Sequence, residues 1–165
     1  MCPGSSKLLT LPQLRQKVGK LRATGLRMVF TNGCFDLLHW GHLRYLQTAS
    51  GLGDYLVVGL NSDSSVELLK GETRPLFAQE HRAELLAALT CVDYVTIFSE
   101  PTARELVAVL KPEVYVKGGD YADPKLLPEA EEVLKYGGEI RLMPHAEGIS
   151  TSILISAISQ GKGRL

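Results

Sequence analysis

Thr31-Asn32-Gly33-Cys34-Phe35-Asp36-Leu37-Leu38-His39-Trp40-Gly41-His42 is the stretch whose reading decides the fold. It follows the apolar, partly β-branched run Met28-Val29-Phe30, which predicts a buried strand over residues 27–31, and precedes the amphipathic Leu43-Arg44-Tyr45-Leu46. A strand that feeds a glycine-bearing loop and then a helix leaves free backbone N–H groups and the positive end of the helix dipole at one point. That point suits a phosphate. His39 and His42, three residues apart, put two imidazoles on nearby sides of one incipient turn, and Gly41 removes the side chain that would stand between a phosphate and the backbone. A helix cap and a core histidine would each account for one ring alone. Zinc hydrolases space two histidines by four with a glutamate between, whereas here the spacing is three and no carboxylate intervenes. The pair reads instead as donors for charge that builds up on an attacked phosphorus, as in an enzyme acting on a nucleoside triphosphate.

Outward from this stretch the chain alternates. An opening helix is expected over 5–25, with Thr10-Leu11-Pro12-Gln13 in capping-box form and Leu11, Leu14, Val18 and Leu21 at helical spacing. Helices are expected over 41–50, 78–89, 102–110, 128–136 and 150–159, and strands over 55–60, 94–98, 114–117 and 139–143. Short links between strands and helices predict an α/β fold: a Rossmann-like three-layer αβα sandwich around a mostly parallel five-stranded sheet. Ligands in such sheets bind beyond the carboxyl ends of the strands. Loops 32–42, 61–76, 118–125 and 144–152 all follow strands, so they converge on one edge. Residues 1–165 read as one nucleotide-handling domain with loose ends at 1–9 and 160–165.

Composition narrows the class. The chain is 45% apolar and 22% charged, with 18 Lys+Arg against 18 Asp+Glu. Bulk charge gives no reason for a nucleic-acid or membrane-surface partner. Cys2, Cys34 and Cys91 are odd in number, far apart and lack C-x-x-C spacing, which argues against a disulfide framework and a zinc site. No apolar run approaches a membrane span, and the N-terminus makes a poor signal peptide, so a cytoplasmic protein is expected.

Three further segments carry candidate chemistry. In residues 144–152, PHAEGISTS, the hydroxyls of Ser150, Thr151 and Ser152 cap the following helix and can donate to phosphate oxygens at its N-terminus. A plain cap is the competing reading. In residues 116–121, VKGGDY, Gly118 and Gly119 let backbone approach a flat ligand, and Asp120 can accept from ribose hydroxyls or hold a cation; a tight turn would use the same glycines. Lys70 and Arg74 lie on a glycine- and proline-broken loop, either as solvated charges or as cations of a mobile lid. Arg82 on the next helix reads as a surface charge or a phosphate ligand, and Asp36 as a hydrogen-bonding anchor for the loop or a ligand.

With these residues in view the chain resembles the cytidylyltransferase-like nucleotidyltransferases, marked by H-x-G-H and a late E-G-I-S-T-[ST] segment, from about residue 27 to 158. Within them it is most similar to the adenylyltransferases of ADP-heptose synthesis, through TNGCFDLLHWGH, GLNSDSSVELLKGETRPL, VKGGDY and EGISTS. The resemblance implies in-line attack by D-glycero-D-manno-heptose 1-phosphate on the α-phosphorus of ATP, giving ADP-heptose and pyrophosphate. It implies Mg²⁺, or another divalent cation, bound chiefly through the triphosphate, with no protein metal ligand assigned. Carried over, His39, His42 and Lys70 are the catalytic set. Thr31, Asn32, Gly33, Phe35, Asp36, Gly41, Arg74, Arg82, Gly118, Gly119, Asp120, Tyr121, Glu147, Ser150, Thr151 and Ser152 bind nucleotide and phosphates. It further implies a homo-oligomer such as a dimer, with residues 85–89 as interface or core, and a separate sugar kinase upstream.

Glycerol-3-phosphate cytidylyltransferases share FDLLHWGH, but their late motif opens with arginine-threonine where this chain has His145-Ala146. They also carry glycine-aspartate-aspartate-tryptophan where Gly118-Gly119-Asp120-Tyr121 stands. A cytidylyltransferase for glycerol 3-phosphate or another polyol phosphate, a non-catalytic nucleotide-binding module, and an adenylyltransferase making a flavin or nicotinamide cofactor stay open at this point.

Overall fold

Both faces of the central sheet are covered, which is why its strands read as nearly unbroken apolar runs. A computed structural model of the chain describes residues 6–119, 123–144 and 148–163. Five strands, β1 (Met28–Gly33), β2 (Tyr55–Asn61), β3 (Tyr94–Phe98), β4 (Val114–Gly118) and β5 (Glu139–Met143), lie in the order β3-β2-β1-β4-β5 with every pairing parallel. The sheet is therefore wholly parallel, as alternation with short links requires. The order reverses between β1 and β4, opening a crevice at their carboxyl ends.

Period-2 alternation splits the core into two layers. Met28, Phe30, Val57 and Tyr115 pack with Leu14 and Val18 of α1 (Leu11–Ala23), Leu106, Val107 and Leu110 of α5 (Arg104–Leu110) and Val133 of α6 (Ala130–Lys135). Val29, Leu56, Val58, Leu60 and Val116 face the other way, against Leu46 of α2 (Trp40–Ser50) and Ala83, Leu86 and Ala87 of α4 (Gln79–Ala88). Each large side chain so buried contributes roughly 1.5–3 kcal/mol.

The expected elements are found with several shifts. The opening helix starts at Leu11 rather than residue 5: Thr10 caps it, its N–H donating to Gln13 Oε1 at 2.9 Å, while Leu8 bridges to Val95 beside β3. β1 runs on through Asn32 and Gly33, which pair with Gly59 and Leu60, so the turn begins at Cys34. Segment 61–76 is not a loop throughout, since α3 (Asp63–Lys70) occupies most of it. Ser62 starts that helix, its hydroxyl accepting from the Ser65 N–H at 3.2 Å, and Lys70 is its last residue. Residues 85–89 are divided: Leu86 and Ala87 are core, and Leu85 is exposed. A short 3₁₀ turn (Pro124–Leu126) precedes α6, and α7 (Thr151–Ser159) closes the described chain with Ser150 as its cap. No helix among the described residues is long and apolar enough to cross a membrane.

Candidate active site

A cavity of about 450 Å³ opens at the carboxyl edge of the sheet over the β1/β4 crevice. It is lined by Asn32, Gly33, Cys34, Phe35, Asp36, His39, Gly41, His42, Tyr45, Lys70, Arg74, Lys117, Gly118, Pro144, Ile149, Ser150, Thr151 and Ser152. The ends of β1, β4 and β5 and the starts of α2 and α7 thus meet in one hollow.

His39 is the N-cap of α2: its Nδ1 accepts from the His42 N–H at 3.4 Å. Burial lowers the His39 pKa below the ordinary 6.5, so the ring is neutral at pH 7. With Nδ1 as acceptor, the proton resides on Nε2, which makes that nitrogen the donor available to a ligand. The two imidazoles stack with centroids 3.8 Å apart and 23° between planes, and the Phe35 ring meets His42 edge-on at 5.2 Å. Phe35 holds this position with φ +43°, a left-handed conformation costing a residue with a Cβ roughly 1–2 kcal/mol. At Gly41 a Cβ would stand 3.0 Å from both the His39 ring and the Ile149 side chain, so the heads of α2 and α7 touch only because this residue has none. Two helix N-termini therefore point their free N–H groups at the same volume.

The loop above the cavity is fastened to the turn below it. Asp36, almost wholly buried, accepts from Arg74 Nε at 2.5 Å and from the Leu76 and Phe77 N–H groups at 2.8 and 3.1 Å. The Asp36 carboxylate thus accepts from three protein donors and anchors the loop. Arg82 departs further from expectation. It is neither a surface charge nor a wall of the cavity, being 1% exposed and donating to the Phe77 carbonyl, the Cys34 carbonyl and Asp63 Oδ1 at 2.9, 2.6 and 2.7 Å. Arg82 ties α3, the loop and the phosphate turn together from behind. Thr31 also lies beneath the site, its hydroxyl 2.6 Å from the Tyr45 hydroxyl, which donates to the Val116 carbonyl. The Gly119 N–H donates to the Met143 carbonyl at 3.1 Å. Asp120, Tyr121 and Glu147 lie outside the described residues.

The donor set suits a metal carried in by its ligand. No group of three His, Cys, Asp or Glu able to hold a metal ion occurs among the described residues, and Asp36 has both oxygens occupied.

The Cytidylyltransferase-like family model matches residues 30–157. The chain belongs to the cytidylyltransferase-like family. This cytidylyltransferase-like chain is 55% identical over 137 residues to the bifunctional protein HldE of Pelobacter propionicus, covering 83% of the chain and 28% of that protein. It is 49% identical to the HldE of Geobacter sulfurreducens (97% of the chain, 32% of the relative) and 47% identical to that of Helicobacter pylori (93% and 32%). The chain therefore spans about a third of the length of these curated relatives. Among solved structures, a lipopolysaccharide core biosynthesis protein from Thermoplasma volcanium superposes with TM-score 0.58 at 29% identity, covering 74% of this chain and 98% of that one. Pantoate-beta-alanine ligase from Francisella tularensis, at 16% identity, shares the fold, with TM-score 0.64 over 83% of this chain and 66% of that one.

Lys117 and Tyr45 also line the cavity, though neither is among the site residues that the sequence motifs single out. The sequence carries a signal for Lys117: it ends a predicted strand directly before Gly118-Gly119, where the crevice of a doubly wound sheet takes its ligand. Tyr45 gave none, since an aromatic at helical spacing reads as core.

Proposed function

We propose that this chain is a nucleotidyltransferase joining the AMP of ATP to D-glycero-D-manno-heptose 1-phosphate, with release of pyrophosphate and formation of ADP-heptose. The observation that carries it is the stacked His39–His42 pair at the head of α2, abutting the head of α7, in a cavity that also takes in the cations of Lys70 and Lys117. Near-half identity to proteins named HldE, over almost the whole chain, supports the heptose acceptor.

A phosphate monoester has a second pKa of about 6, so it is already a dianionic nucleophile near neutral pH and needs no base. The reaction then requires in-line placement of two anions and dispersal of charge at the α-phosphorus and the leaving group. An oxygen of the sugar phosphate forms a new P–O bond at the α-phosphorus as the bond to the β-phosphate oxygen breaks, and the electron pair leaves with pyrophosphate. His39 Nε2–H and His42 donate to α- and β-phosphate oxygens, the backbone at 32–35 cradles the same group, and Ser150, Thr151 and Ser152 receive the outer phosphates at the start of α7. Lys70 adds charge from the end of α3. Mg²⁺ bound to the triphosphate would neutralise part of its charge. The enzyme would work in the cytoplasm, where the triphosphate is supplied.

A pyrophosphate-release panel tests the proposal: ATP, CTP, GTP and UTP against heptose 1-phosphate (both anomers) and glycerol 3-phosphate, with Mg²⁺. Turnover with ATP and the heptose phosphate is expected. Turnover only with CTP and glycerol 3-phosphate would replace it with a polyol-phosphate cytidylyltransferase. Triphosphate binding without release from any pair would make the chain a non-catalytic module.

A further inference from the structure

The donors around the cavity divide into two chemically different groups. At the touching heads of α2 and α7 they are imidazoles and hydroxyls, and burial lowers the His39 pKa. At the β1/β4 crevice the donor is an ammonium. Lys117 Nζ donates to Asn32 Oδ1 at 3.1 Å, and the Tyr115 hydroxyl donates to the same oxygen at 2.8 Å. Two donors on one oxygen fix the Asn32 amide, and through it the lysine.

A buried carboxylate has one oxygen unanswered. Glu129 is 2% exposed; its Oε1 accepts from the Ala103 N–H at 3.0 Å, and its Oε2 has no hydrogen-bond partner among the described residues. A buried carboxylate is costly unless a charge answers it. Glu129 acts electrostatically on Lys117: burial lowers the lysine pKa, and the carboxylate raises it again, with a smaller push from Cys34. Among the cavity cations Arg74 is spent on Asp36, and Lys70 is exposed at a helix end. Lys117 is the cation whose position is set before any ligand arrives.

We propose that Lys117 is the ligand for the phosphate of the acceptor, and that the buried carboxylate of Glu129 is a positioning residue for it. The assignment rests on the nucleotidyl-transfer reading above. A triphosphate arrives with its own divalent cation and is well served by imidazoles, hydroxyls and helix N-termini. The attacking monoester brings no cation, yet it must approach a second anion, so a fixed ammonium lowers its cost of approach. In-line transfer also requires attacking and leaving oxygens on different sides of the α-phosphorus, which separate donor groups provide.

Lys117→Met is the direct test, with Michaelis constants measured separately for heptose 1-phosphate and ATP. The acceptor constant is expected to rise about 10- to 100-fold, the loss of one charged hydrogen bond, with the ATP constant within about twofold. A rise confined to ATP, or none, overturns the assignment. Calorimetric titration of heptose 1-phosphate without triphosphate, on wild type and Lys117→Met, requires no turnover. A wild type that releases no pyrophosphate but binds the sugar phosphate more tightly than the variant does counts against the transfer reading alone. Equal affinities count against the subsite.

Glu129→Gln keeps the shape and the acceptor for Ala103. Removing the carboxylate makes Lys117 lose its proton at lower pH, so the alkaline rise in the acceptor constant should begin at lower pH than in wild type. Cys34 also acts on Lys117, so both profiles are taken in a Cys34→Ser background. Superimposable profiles would leave Glu129 a structural residue only.

Discussion

His39 and His42 stack face to face, 3.8 Å between ring centroids, while the backbone N–H of the second donates to Nδ1 of the first. One imidazole thereby does two things, closing the first turn of α2 with Nδ1 and offering Nε2–H to the cavity.

Those tasks separate in His39→Asn. Asparagine is a good N-cap but too short to place a donor where Nε2 stands, so stability should hold within about 1 kcal/mol. Turnover should fall roughly 10²–10³-fold. Denaturant unfolding and pyrophosphate release measured together check this; comparable losses of both would mean that His39 is a cap and nothing more. The pH dependence has a definite sign. Because the folded-state pKa of His39 lies below the unfolded 6.5, its contribution to stability is complete above pH 6.5 and is lost as pH falls through the folded value. Nitrogen-15 spectra at pH 7.5 should show an Nε2-protonated ring.

Gly41→Ala tests the contact between two helix heads. Alanine is the better helix former by about 1 kcal/mol, yet its methyl would sit 3.0 Å from His39 and Ile149. Thermal stability should change little, and turnover should drop about tenfold or more as the ring and the start of α7 are displaced. An unimpaired Gly41→Ala enzyme would show that the spacing of α2 and α7 is not critical.

Asp36→Asn weakens the fastening of the loop that carries Arg74. One charge-assisted bond is lost and an amide N–H₂ faces backbone donors, so destabilisation of about 1.5–3 kcal/mol is expected. Hydrogen exchange localises it: amides 76 and 77 should lose protection more than those of β1.

Arg82→Met removes a buried guanidinium from three acceptors. A loss of about 2–4 kcal/mol is expected, because the Phe77 and Cys34 carbonyls lose their donor. Arg82→Lys should recover only part of it, since a single ammonium cannot span the fork. Urea midpoints decide; a Met variant as stable as wild type, with weaker triphosphate binding, would return Arg82 to the ligand set.

Local order was legible wherever one segment carried its own signal. The capping box at Thr10, the apolar runs of β1 and β2 and the serine cap of α7 all form as their residues dictate. Helix α3 was hidden because Asp63-Ser64-Ser65 are poor helix formers read in isolation. Its start is settled by distant contacts, with Ser65 Oγ accepting from Asn61 and donating to the Glu100 carbonyl.

The chain by itself determined the alternation of strands and helices, the family motif and the pair of imidazoles, because each is written within a dozen consecutive residues. Only tertiary structure decided that Arg82 is buried and ties three segments together, that Asp36 fastens the loop, and that Lys117 meets Asn32. Those roles depend on which groups from remote positions are desolvated together, and desolvation is a property of the packed molecule, not of any segment of it.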